Sequence, residues 1–271
     1  MRMAAVTSDG TLATPMFAVP TGKQFSAANL RDQLQTLHAQ VQTEVSAPSI
    51  AAIGFGITGL VGATMLIAAD FLPLLNGVNI VVLAQDALGY PTKIENDARC
   101  FVLAETRFGA ARGARHVVGI TLGTGIGGGV IVDGKLHRGA TANAGEIWSI
   151  PLRDKWLEHF VSTAGLVQGY NDAGGEVVGV DAASIADLAR AGDDAAHTAF
   201  HSYGADVAML CETIRALLDP EVVVIGGSIA QARDVFGEEL LRRVAERGPR
   251  IAWAKLGTAA GVIGAASLNI E

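Results

Sequence analysis

Val117-Val118-Gly119-Ile120-Thr121-Leu122, then Gly123-Thr124-Gly125-Ile126-Gly127-Gly128-Gly129, then Val130-Ile131-Val132 reads as an apolar strand, a glycine loop and a second strand. Asp133-Gly134 and Lys135–His137 continue it as a hairpin, since Asp-Gly suits a left-handed two-residue turn. Gly123, Gly125 and Gly128 satisfy the G-x-G-x-x-G spacing of dinucleotide-binding proteins. That fingerprint requires a following helix, whose N-terminus receives the pyrophosphate. Here a strand follows, which excludes the dinucleotide fold. A glycine loop between strands can still hold phosphate, because N–H groups unshielded by Cβ atoms form an anion nest. The plain alternative is a glycine-rich β-turn.

Outward from this stretch, strands and helices alternate. Met3–Val6 and Leu12–Val19 flank a turn at Ser8-Asp9-Gly10-Thr11. Ser26 is placed to cap a helix running to Glu44, with Leu30, Leu34, Leu37 and Val41 on one face. A buried strand covers Ser49–Gly56, Asn79–Leu88 is a helix ended by Gly89, and Pro91–Glu95 is a short strand. Asp97–Phe108 is helical with Gly109 as its C-cap. Later come helices over Ala182–Ala191 and Asp193–Leu218, a strand at Val222–Ile225 and a last helix after Gly261. The pattern is that of an α/β protein in two joined lobes, divided near Gly109–Arg115.

The chain has 271 residues, 50% of them hydrophobic, and a net charge of −7. Without a Lys/Arg cluster, a nucleic-acid or anionic-membrane surface is not expected. The 33 glycines exceed the usual roughly 7% but have no three-residue period, which excludes collagen. Cys100 and Cys211 cannot make a disulfide framework and fit a reducing cytoplasm. Val45–Ala69 lacks charge and is long enough to span a bilayer, but Gly54, Gly56, Gly59 and Gly62 interrupt it. No signal peptide is recognisable, so the expectation is a soluble cytoplasmic protein.

Glu95-Asn96-Asp97 follows a strand and opens a helix. Asp97 there fits an N-cap; beside a sugar hydroxyl it would equally serve as the base in phosphoryl transfer, with Asn96 orienting the sugar. Glu146 and Glu158 are acceptors suited to sugar hydroxyls, although an isolated glutamate is ordinarily just solvated. His197 and His201, four apart, lack the glutamate pattern of a zinc helix and read as a helix face. Trp148, Trp156 and Trp253 read as core or subunit-contact residues, with Trp148 set apart by its position two residues after Glu146.

Taken jointly, Glu95-Asn96-Asp97-Ala98, the Gly123–Gly129 loop, His137-Arg138-Gly139 and Ala144-Gly145-Glu146-Ile147 resemble the ROK family of repressors, open reading frames and sugar kinases. Asp219-Pro220-Glu221 through Gly226-Gly227-Ser228, the closing Ala259–Ala266 and Gly54–Gly59 match as well, so the resemblance covers nearly the whole chain. It implies an actin-like (ribonuclease H-like) ATPase fold of two lobes with a cleft between them. Residues 1–112 would form the first lobe, completed by the C-terminal helix 259–271, and residues 113–258 the second. The implied activity is transfer of the ATP γ-phosphoryl group to a hexose or amino-sugar hydroxyl with Mg2+, most simply the 6-hydroxyl of glucose. Asp97 would be the base, and Gly59, Asn96, Glu146 and Glu158 would bind sugar. Gly123, Thr124 and Gly125 would line the phosphates, and Gly226 and Gly227 the adenosine. A homodimer is the default assembly.

Four departures accompany the resemblance. The family's opening Asp-x-Gly-Gly-Thr loop has no match, and Met1–Val6 reads as the strand after it. The expectation is that the chain starts downstream of the natural start; the rival is a sugar-binding pseudokinase, which the retained Asp97 opposes. Trp148-Ser149 stands where the family has a His after Gly-Glu-Ile, and the Cys-rich zinc segment is absent, so no structural zinc is expected. Asp70 replaces an Asn that the family often places near the sugar. No helix-turn-helix precedes the kinase-like region, which argues against a repressor.

Overall fold

The computed structural model describes residues 1–45, 50–176, 179–244 and 248–270. Ser49 and Glu271, which the readings above place in a strand and in the closing helix, lie outside the described residues. The chain divides into two compact units, one of Met1–Arg112, Arg138–Ala144 and Leu256–Glu271, the other of Gly113–His137 and Gly145–Lys255.

The first unit contains β1 (Arg2–Met3), β2 (Phe17–Ala18), α1 (Ala27–Glu44), β3 (Ile53–Ile57), β4 (Leu60–Val61), β5 (Leu66–Ala68), α2 (Ile80–Leu88), β6 (Thr92–Asn96) and α3 (Asp97–Arg107). Ser26 and Asn29 form a reciprocal capping box at α1, whose buried residues are Leu30, Leu34, Leu37 and Val41, the four that the spacing selects. The N-terminal hairpin has shorter ladders than expected: β1 pairs with β2, and only Val6 and Leu12 bridge below them. The Ala5 N–H goes to the Thr14 hydroxyl (3.0 Å) instead of a ladder carbonyl, and Pro15 has no N–H to give. β3 and β6 are parallel, in register from Ile53↔Thr92 to Ile57↔Asn96. Gly89 ends α2 in the left-handed region (φ 77°), as a C-cap glycine should. Gly109 does not play that part at α3, because Phe108 is the cap. Gly109 is small for another reason: a Cβ there would lie 1.9 Å from Glu105 Oε2.

The second unit is built on a five-stranded sheet. Its elements are β7 (Val117–Leu122), β8 (Ile126–Val132), β9 (Lys135–His137), β10 (Pro151–Leu152), β11 (Lys155–Trp156), α4 (Thr163–Asp172), α5 (Ala182–Arg190), α6 (Asp194–Leu218), β12 (Val222–Gly226), α7 (Arg233–Val244) and β13 (Arg250–Trp253). The sheet order is β13-β12-β7-β8-β9, with the first three strands parallel and the last two antiparallel. β12 is buried along its whole length, which its unbroken Val-Val-Val-Ile run requires of a strand covered on both faces. Asp133 (φ 52°) and Gly134 (φ 75°) make the left-handed turn between β8 and β9. The glycine run is mostly strand and not loop. Gly127, Gly128 and Gly129 pair with Thr121, Ile120 and Gly119, so only residues 123–125 turn. Gly128 must be glycine there, since a Cβ would lie 2.4 Å from the Gly145 carbonyl oxygen. Trp253 packs edge-on against Phe236 (5.7 Å) within an aromatic core with Phe200 and Tyr203.

The chain then returns to the first unit with α8 (Ala260–Ser267), which starts one residue before Gly261. α8 lies against α3 and β3 at backbone contact distance. A Cβ on Gly264 would sit 1.7 Å from the Cys100 carbonyl oxygen, and one on Gly54 equally close to that of Ala265. Arg107 Nη1 donates to the carbonyls of Ser267 (2.7 Å) and Ile270 (2.8 Å), locking the far end. Gly264→Ala should therefore lower the unfolding free energy by about 3 kcal/mol, the upper range for an overpacked core whose neighbour is backbone. Gly261→Ala, which meets nothing within 4 Å, should leave it unchanged or raise it by up to about 1 kcal/mol. Urea unfolding of both variants checks the pair.

Candidate active site

In the first unit the site is built where β6 runs into α3. Asn96, not Asp97, is the N-cap: its Oδ1 accepts from Ala98 N (2.9 Å) and Arg99 N (3.2 Å). Its Nδ2 donates to the Gly59 carbonyl oxygen at 3.0 Å, which brings together two residues that the sequence marks separately. Gly59 has φ 103°, and a Cβ there would lie 2.3 Å from the Ala68 carbonyl oxygen, so no other residue fits. With the cap supplied by its neighbour, Asp97 opens the helix with a solvent-accessible side chain. Enough protein nevertheless surrounds it that desolvation outweighs the hydrogen bond from Ala98 and holds its carboxyl above the usual aspartate range. Cys100 behind it is an inert thiol, pushed well up by burial and by the neighbouring Glu95 and Asp97 charges.

Sequence reasoning missed what holds this corner in place. The Glu95 side chain is 1% exposed and accepts from Arg99 Nη1 (3.2 Å), Arg138 Nε (2.5 Å) and the Asn96 N–H (2.9 Å). Arg99, fully buried, also donates to the carbonyls of Ala142 and Ala144 (3.2 Å for the latter). Arg138–Ala144 is thereby fastened to the first unit, with Ala142 held left-handed at φ 60°. The available signal was the i, i+4 spacing of Glu95 and Arg99 across a helix start.

In the second unit the ends of the parallel strands β7 and β12 carry the glycines. Ser228 Oγ would be 3.3 Å from a Cβ on Gly123, so Gly123 and Gly226-Gly227-Ser228 adjoin at the carboxyl edge of the sheet, the usual ligand side of such a sheet. Gly227 (φ 95°) admits no side chain, since a Cβ would lie 2.1 Å from the Leu122 carbonyl oxygen. Gly123 N–H donates to Gly125 O (3.0 Å), while Thr163 donates to Gly123 O through its N–H (2.8 Å) and its hydroxyl (3.0 Å). Thr124 stands exposed at the tip. Glu158 Oε2 accepts from Ile126 N (3.2 Å) and lies against Gly125, where a Cβ would be only 2.4 Å away. Glu146 precedes a single 3-10 turn, Ile147–Ser149, anchored by the buried Ile147. Its Oε2 accepts the Trp148 indole N–H at 2.8 Å. Trp148 and Trp156 are exposed, so of the two readings given to the tryptophans the core one applies to Trp253, which packs on the core, and not to these two.

The first unit thus presents Gly59, Asn96 and Asp97, and the second Gly123, Thr124, Gly125, Glu146, Glu158, Gly226 and Gly227. Among the described residues no group of three or more His, Cys, Asp or Glu is placed to hold a metal ion. Nor is any helix among them long and apolar enough to cross a membrane.

Comparison with known proteins gives this arrangement relatives. The profile of the ROK family matches residues 2–271. The N-acetyl-D-glucosamine kinase of Vibrio cholerae serotype O1 is 30% identical over 246 residues, covering 81% of this chain and 80% of that protein. The bifunctional enzyme NanE/NanK of Brucella suis is 36% identical over 189 residues, 67% of this chain, and the matched part is 35% of that longer enzyme. Among solved structures, a ROK family glucokinase from Streptomyces griseus in complex with glucose and AMPPNP superposes with a TM-score of 0.81 at 25% identity, over 98% of this chain and 95% of that one.

Removing the buried guanidinium should be costly: Arg99→Met should lose about 3 kcal/mol of stability, because it strips one partner from a buried carboxylate. Adding Glu95→Gln to that variant should recover part of the loss. Urea midpoints measure both, and equal midpoints for Arg99→Met and the wild type would show the ion pair to be idle.

Proposed function

The chain belongs to the ROK family and has its actin-like ATPase fold, and from that premise we infer that it is an ATP-dependent kinase acting on a hexose or an N-acetylhexosamine. The observation that carries the reading is the division of labour between Asn96 and Asp97. Asn96 supplies the helix cap, so Asp97 stands at the same helix start with a solvent-accessible carboxylate whose proton affinity is raised. A base with raised affinity takes a hydroxyl proton more readily, provided it is ionised at working pH. The relatives point to the acceptor class, since they include an N-acetyl-D-glucosamine kinase and a glucose-bound glucokinase.

In this mechanism Asp97 takes the proton of the attacking sugar hydroxyl as that oxygen meets the γ-phosphorus and the bond to the β-phosphate oxygen breaks. Glu146 and Glu158 accept hydrogen bonds from ring hydroxyls, and Gly59 and Asn96 are the sugar ligands beside Asp97. Gly123, Thr124 and Gly125 offer the phosphates N–H groups and a hydroxyl, and Gly226 and Gly227 let the nucleoside approach backbone that carries no Cβ. Magnesium neutralises phosphate charge when bound; it fits best as a passenger of ATP, since this ion keeps its waters and binds through substrate phosphates. Structural zinc has no part in this reading. We place the enzyme in the cytoplasm as a homodimer, on the strength of its free buried cysteines and its family.

ADP release should depend on one sugar of a panel of glucose, N-acetylglucosamine, N-acetylgalactosamine and N-acetylmannosamine. Asp97→Asn should lower kcat by about 10²- to 10⁴-fold with sugar affinity retained; turnover surviving that change would remove Asp97 as the base. Because Asp97 works deprotonated and its carboxyl lies above the ordinary range, kcat/KM should fall on acidification. That acid limb should lie above the ordinary aspartate value of about 3.9, and Asp97→Asn should abolish it.

A further inference from the structure

We propose that Trp148 is a sugar-contacting and positioning residue: its indole N–H holds the Glu146 carboxylate, and its exposed face takes the C–H face of the sugar whose hydroxyl Glu146 binds. This rests on the kinase reading above. Three observations carry it. The side chain is 42% exposed, although it belongs to a turn whose other apolar residue, Ile147, is 7% exposed. The indole N–H is spent on Glu146 Oε2 at 2.8 Å, so the ring stands beside the carboxylate. Glu146 is held at both ends, because Ser149 Oγ donates to its carbonyl oxygen at 3.0 Å.

The chemistry follows from what a pyranose presents. A sugar offers hydroxyls around its rim and C–H groups on its faces, so its site needs fixed acceptors beside an apolar plate. A free glutamate on a turn loses rotamer freedom on binding a hydroxyl, and a carboxylate already restrained has less to lose. Indole suits both tasks, since it has one donor at its edge and a large apolar ring. Ile147 makes the platform firm: its side chain packs 3.0–3.1 Å from where a Cβ on Gly128 of β8 would stand. Trp148 and Glu146 accordingly project from an anchored turn.

Two variants separate the two tasks. Trp148→Phe keeps a ring and removes the N–H, whereas Trp148→Ala removes both. Calorimetric titration with the four-sugar panel, without nucleotide, should show affinity up to about tenfold weaker for Trp148→Phe, the cost of ordering a glutamate side chain that is no longer restrained, and weaker still for Trp148→Ala. In steady-state assays sugar KM should rise in the same order, while ATP KM and kcat stay within about threefold, as befits an interaction made equally in the ground and transition states. Sugar binding should also change the intrinsic fluorescence of the wild type, and Trp148→Phe should lose that change with Trp156 and Trp253 still present. Trp156→Phe, a substitution at the other exposed tryptophan, should bind sugar as the wild type does. Trp148→Ala binding as tightly as the wild type, or a sugar-induced fluorescence change retained in Trp148→Phe, would overturn the proposal and leave the kinase reading standing. A wild-type chain that binds and phosphorylates none of the panel would overturn both.

Discussion

A carboxyl group that is 1% exposed needs partners for its oxygens, and the Glu95 side chain has two guanidinium groups and a backbone N–H. Much of the first unit's corner at the start of α3 hangs on this arrangement. Glu95 is the penultimate residue of β6, so fixing its side chain fixes the strand end from which Asn96 reaches both the first N–H groups of α3 and the Gly59 carbonyl. Arg99, one helical turn on, also directs its Nη2 to the carbonyls of Ala142 and Ala144. One buried charge pair therefore ties together a strand, a helix start, a glycine turn and a returning strap. Asp97 is the acidic residue of that corner left without structural work beyond one bond to Ala98.

The second unit builds its candidate edge by a different route. Its parallel strands β7 and β12 are apolar on both faces, which the covering helices require, and both give way to glycine at their carboxyl ends. Glycine there is a steric necessity before it is a chemical opportunity, because a Cβ on Gly227 would collide with Leu122. Once side chains are excluded, backbone is what a ligand meets. Phosphate recognition by N–H groups, as proposed here, and close packing of strand ends make the same demand on the same residues.

Much of this was legible in the chain because the signals were local. The α1 face, the Gly89 stop of α2, the Asp133-Gly134 turn and the Val222–Ile225 strand each follow from spacing or from one residue's conformational preference. The glycine run was less readable: Gly127–Gly129 lie in β8 because β7 pairs with them, and a glycine's own preferences do not announce a strand. Helices α4 and α7 and strand β13 were passed over, having short or mixed apolar patterns whose partners lie elsewhere in the chain. Among the candidate site residues, the types and order were visible, but the cap was ascribed to Asp97 where Asn96 provides it.

What the sequence by itself determined was therefore the inventory: an α/β chain, a dinucleotide fold excluded, carboxylates at 97, 146 and 158 and glycines at 123–125 and 226–227, in an order that resembles ROK kinases. Periodicity, turn chemistry and motif spacing suffice for that, because each depends on residues close together in the chain. Only the tertiary structure decided which of those residues are engaged. Glu95 finds Arg138 across 43 residues, Glu158 finds Ile126 across 32, and α8 closes on the backbone of α3 through its own Gly264 and on β3 at Gly54. Long-range partners of this kind are chosen by packing and by the penalty for burying an unpaired charge, and neither is written in any short stretch of sequence.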